Sequence, residues 1–173
     1  MTEDDVDTPF EAFWGDLLDD VEATAVEYRE EGWETHELTV GDVTALYARD
    51  KPYGLDVLVP ESEFDLVDDL REGTIFDSSE VYARTVGPTV FLLIVELASE
   101  TNDAVLIPAY FNHTTDGELL DAAAEGDGMR VHVRSLGSDH RVTFRHEDYT
   151  LFEPDEDEGD AEGAETADGA APE

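Results

Sequence analysis

The chain has 173 residues, and its 46 acidic side chains outnumber nine basic ones to give a formal charge of −37, with no cysteine. That composition excludes a disulfide scaffold, a cysteine-ligated zinc site and a thiol nucleophile, and it opposes any surface that would wrap polyphosphate. The length predicts one domain, and 40% apolar residues suffice for its core.

Residues 1–7 are acidic and lack an apolar period, so they read as a flexible N-terminus. Thr8-Pro9-Phe10-Glu11 then has the form of a helix start, with Thr8 as N-cap, Pro9 at the first helical position and Glu11 closing a capping box. Phe10, Phe13, Trp14, Leu17, Leu18, Val21, Ala25 and Tyr28 recur every three or four residues, one apolar face of a long helix that Gly32 stops. An aromatic-rich stripe of this kind reads as core contact.

Strands are expected at 33–40, 43–49 and 55–59, with Gly41-Asp42 as a tight turn and 50–54 as a longer connection. A helix over 62–72 presents Phe64, Val67 and Leu70, with Ser62 and Asp65 placed to cap it. Further strands fall at 80–86, 89–97 and 104–107. Val90 to Val95 lacks alternation, which predicts a strand covered on both faces. Pro108 lacks the N–H a ladder needs, so its strand should end there or lie at an edge. Thr115 and Glu118 read as a capping box opening a helix to Glu125, before a hairpin of 129–136 and 140–147. The succession α-βββ-α-βββ-α-ββ, with short turns between neighbouring strands, predicts a single α+β domain over 8–152, built on a mainly antiparallel sheet with one long N-terminal and two shorter helices. Residues 153–173 hold ten acids, no base and no apolar period, and read as a disordered acidic tail. Without them the first 152 residues still carry −27.

The last hairpin concentrates the chemistry. Val131, Val133, Val142 and Phe144 alternate with Arg130, His132, Arg134, Arg141, Thr143 and Arg145. Were the apolar set to face the core, the others would share the opposite face. A turn centred on Gly137-Ser138 would set Arg130 opposite Arg145, His132 opposite Thr143 and Arg134 opposite Arg141. Opposed like charges destabilise a sheet, so compensation is required. Carboxylates from a helix or from the folded-back tail could supply it; alternatively the guanidinium row binds an anion, which it can do in bidentate fashion. The second reading makes the protein a non-catalytic interaction or anion-binding module for an acidic protein or a phosphorylated small ligand. Nucleic acid and membrane are not expected partners.

The alternative is a small hydrolase or transferase near Asn112, His113 and Asp116, where a strand passes into a helix start and His113 could exchange protons with Asp116 orienting it. No cofactor motif or metal-ligand spacing occurs among the five histidines or the paired aspartates. The N-terminus lacks the basic and apolar pattern of a signal peptide, so Asn112-His113-Thr114 is an unused sequon in a chain read as cytoplasmic. Such an acid excess with a single lysine suits a cytosol of concentrated salt, where the Debye length shrinks to roughly 3 Å at 1 M. Through Val105-Leu106-Ile107-Pro108-Ala109-Tyr110-Phe111 and Val142-Thr143-Phe144-Arg145-His146-Glu147-Asp148, the chain resembles small acidic haloarchaeal proteins of unknown function. The resemblance spans roughly 8–152 and implies a salt-in cytoplasm, but no activity and no site residues.

Overall fold

The computed structural model describes residues 2–47, 53–126 and 128–154. In chain order its elements are α1 (Thr2–Glu30), β1 (Glu34–Glu37), β2 (Asp42–Leu46), β3 (Gly54–Leu58), α2 (Glu61–Gly73), β4 (Ser78–Val86), β5 (Thr89–Ala98), β6 (Asp103–Asn112), α3 (Gly117–Glu125), β7 (Met129–Arg134), β8 (Val142–His146) and a 3-10 turn, Tyr149–Phe152. This is the expected succession of an α+β domain. The acidic tail from 155 onward and most of the 50–54 connection lie outside the described residues.

The strands form two four-stranded sheets, ordered β1-β6-β5-β4 and β2-β3-β7-β8. Antiparallel pairs join β2–β3, β4–β5, β5–β6 and β7–β8, whereas β1–β6 and β3–β7 are parallel. The sheets are therefore mixed, and the tight turn expected at Gly41-Asp42 does not pair the strands on either side of it. β1 and β2 belong to different sheets; Thr39 N–H goes to Glu63 at 2.6 Å and Gly41 N–H to the Leu58 carbonyl at 2.9 Å. A short crossing between sheets uses the same turn residues as a hairpin, which is why composition does not separate them.

Two cores follow from the alternation along the central strands. Phe91, Leu93, Val95 and Leu97 of β5 pack with Leu17, Val21 and Ala25 of α1. Val90, Leu92 and Ile94 turn the other way, toward Leu55, Val57, Val131 and Val133 of the second sheet, with Phe64 and Val67 of α2 and Leu119 of α3 in the same core. Both faces of β5 are thus covered, as its unbroken apolar run predicts. Each large side chain buried here contributes about 1.5–3 kcal/mol, against about 1 kcal/mol at most for an exposed ion pair, so packing holds the layers together. A polar link also crosses the interior: His146 of β8 lies 2.7 Å from Glu96 of β5 through Nε2 and 3.2 Å from the Ser79 hydroxyl of β4 through Nδ1.

The helix starts differ from the expected caps. α1 has already begun at Thr2, so Thr8 does not cap it and Pro9 lies inside the helix rather than at its first position. Neither Pro60 before α2 nor Asp116 before α3 makes a side-chain cap bond. Asn112 Oδ1 instead accepts from Thr114 and Thr115 N–H at 2.9 and 3.1 Å, which fixes the turn ahead of α3 and leaves Thr115 outside it. β6 also runs through Pro108 to Asn112 without a break. Leu106 directs its carbonyl to Leu38, beyond the end of β1, and alternation turns Pro108 to the same side, where no strand follows. The missing N–H is thereby absorbed at a local edge.

Gly54 is required by its neighbour. With φ at +134°, a Cβ there would lie 2.3 Å from the Arg130 carbonyl oxygen. Only glycine allows β3 to run this close beside β7, and that approach sets Asp56 next to His132.

Candidate functional site

The β7–β8 ribbon has the expected register, with Arg130 opposite Arg145, Val131 opposite Phe144 and His132 opposite Thr143. Val131, Val133, Val142 and Phe144 are buried in the core. Alternation therefore turns Arg130, His132, Arg134, Thr143 and Arg145 to the outer face of the second sheet. Arg141, immediately before β8, reaches the same place, because it shares a partner with Arg134.

That partner is Asp56 of β3. Its Oδ2 accepts from Arg134 Nε at 2.6 Å and its Oδ1 from Arg141 Nε at 2.7 Å. The carboxylate is only 2% exposed, whereas the arginine side chains are 29% and 38% exposed. For Arg134 and Arg141 the compensation that opposed arginines require thus comes from a strand paired in parallel with the ribbon. One negative charge holds two positive ones, so the trio keeps a net charge of +1. A guanidinium carries five N–H donors, and the bond to Asp56 uses one from each. Arg130 stands over the Tyr53 ring, 5.0 Å from its centroid, and Arg145 lies 3.9 Å from the exposed Glu147.

His132 is buried among these charges. Nε2 is 2.8 Å from the Tyr53 carbonyl, so it carries the proton, and the Thr143 hydroxyl then donates to Nδ1 at 2.8 Å. Burial lowers the imidazole pKa below its ordinary 6.5; the Tyr53 carbonyl and Asp56 oppose this, while Arg141 and Arg130 reinforce it. The sign of the linkage follows. In the unfolded chain the group takes up a proton as pH falls through about 6.5, and in the folded chain it does so only lower, so its contribution is lost as pH drops from the first value toward the second. We expect the ring of His132 to remain neutral and Nε2-protonated at pH 6.5 in ¹⁵N-resolved NMR spectra. A half-charged imidazole there would contradict the assignment. Stability should also fall less between pH 7.5 and 5 in His132→Gln than in the wild type.

The other candidate cluster is not assembled as an acid–base pair. Asn112 and Asp116 line a shallow cavity of about 220 Å³ together with Phe10, Val43 and Tyr110. Asp116 accepts from the Tyr47 hydroxyl at 3.0 Å, and this bond raises the phenol pKa. His113 lies outside that lining; its Nε2 is 3.0 Å from the Gly87 carbonyl, and its backbone N–H goes to Pro88 at 2.8 Å. Among the described residues no group of three or more histidine or carboxylate side chains is placed to hold a metal ion.

Over residues 3–154 the sequence matches a family of unknown function, DUF7529. The chain belongs to this family. No curated protein and no solved structure matches this DUF7529 member. No described helix is long and apolar enough to cross a membrane. Two residues of the arginine site escape sequence reasoning, Asp56 and Tyr53. Asp56 did leave a signal, as a lone charge inside the apolar run Leu55-Asp56-Val57-Leu58-Val59. Its partners did not, because they lie 78 and 85 positions away.

Proposed function

We propose that this DUF7529 protein is a non-catalytic anion-binding module of a salt-adapted cytoplasm, and that its ligand is a phosphorylated small molecule held on the outer face of the second sheet. The observation that carries this reading is the Arg134–Asp56–Arg141 cluster. A buried carboxylate fixes two part-exposed guanidiniums at their inner nitrogens, so the remaining donors are oriented before a ligand arrives. Arginine is suited to this task, since its planar fork matches phosphate oxygens in pairs. A residual positive charge in a chain of −37 also distinguishes this face from the rest of the surface. The same acid excess supports the salt-adapted setting, because concentrated salt screens the self-repulsion of so many carboxylates. An acidic protein is the second partner this chemistry would admit. The hydrolase or transferase reading has less support, with the His113 ring turned to a backbone carbonyl rather than to Asp116.

Titration calorimetry with pyrophosphate in molar KCl tests the proposal. Under those conditions the Debye length is roughly 3 Å, so binding must come from contact rather than from the distant field. The wild type should bind saturably at one site. The triple variant Asp56→Asn/Arg134→Gln/Arg141→Gln, which removes the cluster without stranding a charge, should lose at least about tenfold in affinity. Equal affinity in the two proteins would overturn the assignment.

A further inference from the structure

On the other side of the molecule, α1 lies over β1, β6 and β5 and leaves the outermost strand, β4, partly uncovered. A groove of about 610 Å³ opens there, with Phe91 and Leu93 among its lining residues. One wall is the edge of the α1 stripe, with Phe13, Asp20 and Glu27 spaced so that they face the same way and Glu31 just past the end of the helix. The opposite wall is the exposed face of β4, where Glu80, Tyr82 and Arg84 alternate with residues of the core side.

Three features give this groove a chemical preference. Four carboxylates line it, against a single base. Glu80 is held in place: the hydroxyls of Tyr28 and Tyr82 both donate to its Oε1 at 2.6 Å, and burial followed by that bond pushes both phenols well above their ordinary pKa, so they remain donors. Finally, the chain already seats a cation on the aromatic wall, with the Arg84 guanidinium 5.3 Å from the centroid of Phe13. Aromatic faces with fixed carboxylates between them favour organic cations, whose charge they meet and whose methylenes they cover. An anion would be repelled.

We propose that this groove binds an aliphatic polyamine. The extent of the site argues for several linked ammonium groups rather than one. At a helical rise of about 1.5 Å per residue, Asp20 and Glu27 stand roughly 10 Å apart along α1, with Glu31 following just past its end, and methylene chains of a few carbons bridge such gaps. The intervening wall is apolar or small, with Phe13, Leu17, Ala23 and Thr24. This site is independent of the arginine face and opposite to it in sign.

So acidic a chain will also gather polyamines loosely over its whole surface, and the test must separate the two. Spermidine is titrated into the full chain in molar KCl, where a Debye length of roughly 3 Å screens loose gathering, and followed by tryptophan fluorescence, since Trp33 packs edge-on against Tyr28 at 5.9 Å. The expected result is one saturable site, weakened about tenfold by Glu80→Gln and by Tyr82→Leu, with butylamine at least about tenfold weaker than spermidine. Asp121→Asn removes the same charge as Glu80→Gln from an exposed position on α3 and should leave the affinity unchanged. Binding that responds equally to Glu80→Gln and Asp121→Asn, or that shows no saturation, would overturn the proposal.

Discussion

Replacing Arg134 and Arg141 together by glutamine should lower the stability of this protein by about 3 kcal/mol, because it leaves Asp56 as a buried charge without a cationic partner. Exposed ion pairs rarely contribute more than about 1 kcal/mol. Here the arginines are part-exposed but the carboxylate is not, and the buried partner decides the magnitude. Either single replacement should cost less, since the remaining guanidinium still meets one carboxylate oxygen. Adding Asp56→Asn to the double variant should restore most of the loss, as nothing charged then remains inside. Urea unfolding, with the slope compared between proteins, measures the four variants against the wild type. A double variant within about 1 kcal/mol of the wild type would mean that Asp56 is solvated after all.

The second large effect is expected at the link between the sheets. His146 and Glu96 are 2% and 4% exposed and 2.7 Å apart, so His146→Leu deprives a buried carboxyl of its partner and should cost about 3 kcal/mol. Ser79→Ala removes a hydroxyl that lies 3.2 Å from the ring, and that residue is exposed, so about 1 kcal/mol is expected. The double replacement His146→Leu/Glu96→Leu should recover much of the single loss, because two packed apolar side chains need no partners. Thermal unfolding resolves these differences. An unchanged melting temperature for His146→Leu would show that the link carries no stability.

What could be read in advance is what depends on near neighbours. The covered strand at Val90–Val95, the apolar stripe from Phe13 to Tyr28 and the pairing of His132 with Thr143 all follow from spacing within one or two elements. The division into two sheets could not be read so, because the pairings β1–β6 and β3–β7 join residues about seventy positions apart and no turn between them records the choice. The caps failed for a related reason: Thr115 and Ser62 have the right side chains, but Asn112 and tertiary contacts such as Thr39 with Glu63 had already fixed those turns. The arginine face was legible as a face, while its occupant, Asp56, arrives from a strand that only the parallel pairing brings near. The groove beside β4 was hidden likewise, since it is a gap between elements rather than a property of either.

The parallel pairing of β3 with β7 also has a consequence for synthesis. β4, β5 and β6 follow one another through short turns and can zip together as soon as they emerge, completing the first sheet once residue 112 is made. β3 pairs with β2 along one edge but must wait for β7 to fill the other, whose backbone groups stay unpaired while everything between is translated. Closing that long loop costs more chain entropy than the short turns of the first sheet, and a product cut short before β7 is left with one edge of β3 bare.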